Sequence, residues 1–134
     1  MIPLMLKRKQ RSAIVNISSF SAEHPIPYVS NYSATKVYND FLSRAIEMEY
    51  QHKIDVLSVR PMLIETNMSK QKESCTVVSK NNCAKASLGY LGIDYETNGS
   101  FIHKLLASTT NCLPEPVVRC LSESSSRSIM EKEK

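Results

Sequence analysis

Two short apolar stretches of the chain have the pattern of buried β-strands. Residues 13–17 (Ala-Ile-Val-Asn-Ile) are almost continuously apolar and rich in β-branched side chains, and residues 54–59 (Ile-Asp-Val-Leu-Ser-Val) repeat this character. Short runs of this kind are typical of strands that are covered on both faces of a parallel sheet. We therefore predict two parallel strands in an α/β domain, with residues 13–17 buried on both faces.

The stretch between these strands has the periodicity of a helix. We predict a helix over residues 31–51, with Asn31 as its N-cap and an ion pair between Asp40 and Arg44 on its exposed side. Its apolar side chains recur at helical spacing, and we interpret them as a face that contacts the sheet: Ala34, Val37, Tyr38, Phe41, Ala45 and Met48. Strand, helix and strand then form a parallel unit, in which ligands bind beyond the carboxyl ends of the strands.

The second half of the chain has weaker patterns. They predict a helix over 77–91, a short strand over 100–103, and an amphipathic segment over 104–121 that is interrupted by Pro114 and Pro116. Such a segment suits a surface helix or a weak contact with a membrane surface.

Two polar stretches are predicted to lack regular structure. Residues 68–76 are interpreted as a mobile loop over a substrate, and residues 122–134, rich in serine and charge, as a disordered tail after a domain that spans 1–121.

Composition excludes several classes of function. The 134 residues suffice for one small domain, and the net charge of +4 comes without a stripe of basic and aromatic residues, which argues against nucleic-acid binding. The four cysteines contain no Cys-x-x-Cys pair, so we expect free thiols in a reducing compartment and no metal site: Cys75, Cys83, Cys112 and Cys120.

Three residues near the first strand form a candidate catalytic set. Ser19 follows the apolar run 13–17, Tyr32 comes thirteen positions later, and Lys36 lies four positions further on. Residues four apart share one face of a helix, so the Tyr32 phenol and the Lys36 ammonium are expected to be neighbours. A nearby cation favours a phenolate, and a hydroxyl can hold a substrate oxygen. The set suits proton delivery to a carbonyl oxygen while a hydride reaches its carbon.

This arrangement resembles the short-chain dehydrogenase/reductase family, in which a serine precedes a Tyr-x-x-x-Lys motif by this spacing. The resemblance implies a doubly wound, Rossmann-like parallel sheet, here with about three strands and flanking helices. It implies that Tyr32 donates the proton, Ser19 hydrogen-bonds the ketone oxygen, and Lys36 favours the phenolate and holds the nicotinamide ribose. It also implies that Pro61 and Thr66 orient the nicotinamide.

The family's phosphate-binding loop has no counterpart in this sequence. The three glycines, Gly89, Gly92 and Gly99, form no glycine-rich turn behind a strand, and such a turn is what lets a backbone approach a pyrophosphate. By the resemblance, the chain corresponds to the C-terminal catalytic part of the family's domain, and we expect the chain alone to be inactive.

Further segments resemble the branch of very-long-chain 3-oxoacyl-CoA reductases and 17-beta-hydroxysteroid dehydrogenases, among them Pro25-Ile26-Pro27 and Thr97-Asn98-Gly99. That branch implies NADPH, an acyl-CoA or steroid ketone as substrate, and a place on the cytosolic face of the endoplasmic reticulum membrane. An alternative stays open: a catalytically silent chain that associates with other subunits, including copies of itself, through the helix 31–51.

Overall fold

The computed structural model describes residues 1–66 and 72–131. Its regular elements are, in chain order, α1 (Ile2–Leu6), β1 (Ser12–Ile17), a 3-10 turn (Phe20–Ala22), α2 (Ser30–Tyr50), β2 (Ile54–Val59), β3 (Ile64–Glu65), β4 (Val78–Ser79), α3 (Lys80–Leu88), β5 (Glu96–Thr97), α4 (Phe101–Asn111) and α5 (Glu115–Glu131).

The main sheet is parallel and has the strand order β1-β2-β5. β1 and β2 run in register from the pair Ser12–Ile54 to the pair Ile17–Val59, with α2 as the crossover between them. β3 and β4 form a separate parallel pair. The structure therefore confirms the α/β class, the three-stranded parallel sheet and the two predicted strands.

β1 is an edge strand with one exposed face, and this exposed face corrects the prediction that the strand is buried on both faces. Within the described residues it pairs only with β2, and the side chains of Val15 and Ile17 are 37% and 55% exposed. The opposite face of β1 lies against α2, where the Asn16 amide donates a hydrogen bond of 2.8 Å to Ser43 Oγ. β2 has neighbours on both sides, and its burial is almost complete.

α2 packs against the sheet through the face opposite to the predicted one. Its buried side chains are Ser33, Asp40 and Ser43, whereas Tyr38 and Phe41 are 69% and 64% exposed. Buried polar groups of the sheet need hydrogen-bond partners, and the polar face of α2 supplies them. The predicted Asp40–Arg44 ion pair forms at 3.4 Å, but Asp40 is buried rather than on the exposed side.

Several predicted helix and strand ends are wrong. Val29, not Asn31, occupies the N-cap of α2, and no side chain caps it. The helix predicted over 77–91 is confined to α3, because β4 precedes it. The strand predicted over 100–103 is the start of α4, since Ser100 Oγ accepts the amide of His103 and caps that helix.

The C-terminal segment is more regular than expected. The break predicted at Pro114 separates α4 from α5, but the one predicted at Pro116 is wrong, because Pro116 lies in the first turn of α5, where a proline is tolerated. α5 continues through Glu131, so residues 122–131 are helical instead of disordered. Residues 132–134 and part of the loop predicted over 68–76 lie outside the described residues. Among the described residues, no helix has the length and apolar character needed to cross a membrane, and no cluster of His, Cys, Asp and Glu suits a metal ion.

Candidate active site

The carboxyl end of β1 is bonded tightly to α2. Lys36 Nζ donates a hydrogen bond of 2.8 Å to the carbonyl oxygen of Ile17, and Asn39 Nδ2 donates one of 3.2 Å to the same oxygen. In the reverse direction, Ser18 Oγ donates to the carbonyl oxygen of Lys36 at 2.7 Å. These contacts fix the helical turn that carries Lys36 against the end of the strand.

Ser19 begins the loop that leaves this strand. Its backbone is extended and caps the 3-10 turn, and its Oγ accepts the amide of Ser21 at 3.2 Å. A hydroxyl can accept and donate at the same time, so the Ser19 proton can still be given to a substrate oxygen.

Tyr32 and Lys36 are neighbours on α2, as their spacing predicts. Lys36 Nζ lies 5.5 Å from the centroid of the Tyr32 ring, within the range of a cation–π contact. The Tyr32 residue is 42% exposed, so this position borders solvent. The structure thus joins Lys36 directly to Tyr32 and to the strand end that precedes Ser19.

Of the two predicted nicotinamide contacts, Pro61 is nearer in sequence to the carboxyl end of β2. Its side chain is buried, and its carbonyl oxygen accepts the amide of Phe20 at 3.0 Å, which ties the end of β2 to the loop after Ser19. Thr66 follows β3 and is exposed.

An ion cluster around Arg60, which sequence reasoning did not find, supports the site. Within 4.0 Å the Arg60 guanidinium meets Glu96 at 2.8 Å, Glu23 at 3.5 Å and Asp40 at 4.0 Å. Asp40 also accepts a hydrogen bond of 2.7 Å from the buried Ser58 hydroxyl. The cluster connects the loop after Ser19, α2, β2 and β5. These carboxylates are far apart in sequence, so no local spacing signals the cluster.

His103 anchors the segment that follows Pro61. It is fully buried, and its Nε2 lies 3.1 Å from the carbonyl oxygen of Leu63. Burial lowers the pKa of His103 below its ordinary value, and hydrogen bonds to backbone groups oppose that shift in part. We interpret His103 as a structural residue, because it links α4 to the segment that contains Leu63.

Comparison with known proteins places these features in a family. The family model described as short chain dehydrogenase matches residues 1–76, which include all five predicted site residues, Ser19, Tyr32, Lys36, Pro61 and Thr66. The chain belongs to the short-chain dehydrogenase family.

Among curated proteins, the very-long-chain 3-oxoacyl-CoA reductase of Bos taurus is 37% identical over 115 residues, which cover 84% of this chain and 36% of that protein. The Homo sapiens reductase of the same name is 36% identical over 115 residues, with the same coverage of both chains. This chain therefore spans about a third of the length of these relatives.

Solved structures agree on the fold. A short chain dehydrogenase from Burkholderia cenocepacia in complex with NADP has a TM-score of 0.64 at 24% identity and covers 76% of this chain and 44% of that one. A short-chain dehydrogenase from Sphingobium yanoikuyae in complex with NADPH has a TM-score of 0.51 at 29% identity, and covers 58% and 33%. The Rossmann-like class predicted from the sequence is thus confirmed.

Proposed function

We propose that this chain provides the Ser-Tyr-Lys site of an NADPH-dependent reductase that acts on a ketone. The observation that carries the proposal is the reciprocal bonding between β1 and α2, from Lys36 Nζ to Ile17 O and from Ser18 Oγ to Lys36 O. It holds the turn of α2 that bears Lys36 against the carboxyl end of β1, and Ser19 begins the loop that leaves this strand. Membership of the short-chain dehydrogenase family supports this choice of reaction.

The donor set at Lys36 fits a nicotinamide ribose. An ammonium has three N–H donors, and the described contacts of Lys36 use one of them on Ile17 O. The remaining donors suit the two ribose hydroxyls, and Pro61 and Thr66 are proposed to orient the nicotinamide. When bound, NADPH would supply the hydride that reduces the ketone carbon.

The chain's own residues would handle the ketone oxygen. Ser19 donates a hydrogen bond to that oxygen and fixes its position. Tyr32 donates its phenolic proton to the same oxygen as negative charge develops there, and the Lys36 ammonium stabilises the resulting phenolate. Lys36 can do so because its Nζ already lies 5.5 Å from the centroid of the Tyr32 ring.

The substrate class and the location form the finer part of the proposal. The relatives named very-long-chain 3-oxoacyl-CoA reductase favour an acyl-CoA thioester with a 3-keto group, and a 17-ketosteroid is the second option. The sequence resemblance to that branch also supports a place on the cytosolic face of the endoplasmic reticulum membrane.

The test is a chimera in which this chain replaces the matching region of the bovine reductase. We expect the chimera to reduce a 3-oxoacyl-CoA with NADPH, and Tyr32→Phe to lower kcat by about 10²- to 10⁴-fold, the usual contribution of a general acid. NADPH affinity should be nearly unchanged, because the ring and Lys36 remain.

The matched control is Tyr38→Phe, which removes the same oxygen from an exposed ring on α2 and should leave kcat unchanged. A chimera that binds NADPH but reduces no ketone would contradict the proposed function. Equal activity of Tyr32→Phe and the parent chimera would contradict the role of Tyr32.

One observation favours a second candidate function, that of an interaction module. The outward face of α2 exposes large apolar side chains, with Tyr38, Phe41 and Met48 between 64% and 73% exposed. A face of this kind suits association with another subunit, including a copy of this chain. Sedimentation velocity over a range of protein concentrations distinguishes this role from catalysis.

A further inference from the structure

Two basic turns meet at the amino ends of β1 and β2, the end of the sheet opposite the candidate active site. Residues 7–11 lead into β1, and residues 51–53 lead into β2. Lys53 Nζ donates a hydrogen bond of 3.2 Å to the carbonyl oxygen of Lys9, and the Arg11 guanidinium donates to the carbonyl oxygens of Gln51 and His52 at 2.8 and 3.1 Å. The two turns therefore form one ordered surface.

Positive charge on this surface is only partly balanced. Arg11 pairs with Asp55. Both residues line a neighbouring groove of about 410 Å³, and the carboxylates of Glu47 and Asp94 line it as well. The exposed side chains of residues 7–9, Lys-Arg-Lys, are not part of that lining. Among the described side chains, no carboxylate pairs with any of these three, so three adjacent cations face solvent.

An exposed apolar side chain precedes these cations on α1. Leu4 of α1 is 70% exposed. Lys7 keeps helical backbone angles, and the Arg8 amide bonds to the carbonyl oxygen of Met5 at 3.2 Å, so the helical path reaches the basic turn. Residues three apart on such a path are neighbours, which puts Leu4 beside Lys7, the first of the three cations.

We propose that this surface, formed by Leu4, Lys7, Arg8 and Lys9, binds an anionic lipid membrane. Clustered basic residues are attracted to acidic headgroups, and an exposed leucine beside them can enter the interface. The leucine favours lipid over nucleic acid, since the sequence between residues 1 and 11 offers no aromatic ring for a base to stack on. The proposal does not depend on the reductase function, because it uses the opposite end of the sheet.

The experiment is flotation of the full chain with vesicles, which separates bound protein from any aggregate, because aggregates stay at the bottom of the gradient. We expect the chain to float with vesicles of phosphatidylcholine that contain phosphatidylserine, and not with phosphatidylcholine alone. Binding should weaken strongly between low salt and 0.5 M salt, because salt screens such attraction. Salt-independent flotation, or equal flotation with neutral vesicles, would overturn the proposal.

Variants then locate the surface. Lys7→Gln with Lys9→Gln should weaken partition about 25-fold, since each cation near an anionic surface contributes about fivefold. The matched control, Lys80→Gln with Lys85→Gln, removes the same charge from exposed positions of α3 and should change partition less than about twofold. Leu4→Ser should weaken it about fivefold.

Two outcomes would contradict the assignment. Equal losses in the two double variants would mean that only net charge matters. Tighter binding to a DNA duplex than to the anionic vesicles, at the same salt, would assign the surface to nucleic acid instead.

Discussion

The two faces of α2 differ from those of most helices in globular proteins, which turn their large apolar side chains toward the core and their polar side chains toward solvent. The face against the sheet buries the polar residues Ser33, Asp40 and Ser43, and its apolar contacts with the core come from the C-terminal half of the helix, from the partly buried Ile46 and Tyr50. The face toward solvent carries large apolar side chains. An amphipathic pattern normally marks the core face of a helix. Here it marks a face that the described chain leaves uncovered, while the polar face holds the candidate active site in place.

The difference has a physical origin in the sheet. Asn16 and Ser58 point toward α2 and find partners in Ser43 and Asp40. Burying those groups against apolar side chains would leave them without hydrogen bonds, at a cost of about 1–3 kcal/mol each. The polar face of α2 is therefore the one that can pack on this sheet.

Among substitutions on the two faces of α2, we expect Asp40→Ala to have the largest effect on the free energy of unfolding. Asp40→Ala leaves the buried Ser58 hydroxyl without its acceptor and removes one carboxylate from Arg60. We expect the free energy of unfolding to fall by about 3 kcal/mol, the range for breaking a buried charged network. Urea unfolding followed by circular dichroism measures it.

The control for Asp40 lies one position away on the outward face. Phe41→Ala removes more atoms but from an exposed ring, and should change the free energy of unfolding by less than about 0.5 kcal/mol. If the two variants lose equal stability, the inward and outward faces do not differ as described.

The outward face itself should matter for association. If α2 binds a second subunit, Phe41→Glu puts a charge in the centre of that interface and should weaken dimerisation about 30-fold, the loss of a typical aromatic anchor. Sedimentation velocity over a range of protein concentrations measures it. Leu88→Glu, on the exposed side of α3, is the matched control. A parent chain that stays monomeric at all concentrations would exclude self-association through α2.

Local patterns predicted the elements of the site correctly. The bounds of β2 follow directly from its apolar run, and those of α2 are within one residue of the prediction. The spacing of Tyr32 and Lys36 gave their contact, because helical geometry fixes it without any tertiary information.

Features that depend on distant partners could not be predicted in the same way. The exposure of Val15 depends on whether another strand or helix covers β1, which the run of residues 13–17 does not encode. The choice of the polar face of α2 depends on Asn16 and Ser58, and the Arg60 cluster joins residues from four separate segments. The helix at Ser100 was missed because its cap lies inside a short run that also suits a strand.

Among the inward-facing polar groups, His103 should make stability depend on pH. Its pKa is lowered in the folded state by burial, so below about pH 6.5 the unfolded chain takes up the proton more readily. The stability contribution of neutral His103 is complete above about pH 6.5 and is lost as the pH falls toward the lower folded-state pKa. Urea unfolding at pH 7.5 and at pH 5 measures this loss.

Two variants separate His103 from other titrating groups. His103→Gln, which can still donate to Leu63 O, should reduce the pH dependence, whereas His52→Gln in the exposed turn should preserve it. An unchanged slope in His103→Gln would contradict the assignment.

The smallest effect is expected when NADPH is added to the chain alone and its melting temperature is measured. The reason lies in the two sides of β1. The side against α2 is bonded to the helix that bears Tyr32 and Lys36. On the other side Val15 and Ile17 are exposed, and the strand's outer edge has no partner among the described strands. In a doubly wound sheet the pyrophosphate lies on a glycine-rich turn, which the three glycines of this chain do not form. Lys36 alone can hold the ribose but cannot replace those backbone contacts.

We therefore expect a thermal melt of the 134-residue chain to shift by less than about 1 °C with excess NADPH, because only a ligand that binds the folded state can raise the melting temperature. The chimera with the bovine reductase serves as the positive control in the same assay. A clear upward shift for the chain alone would show that residues outside the expected turn bind the cofactor.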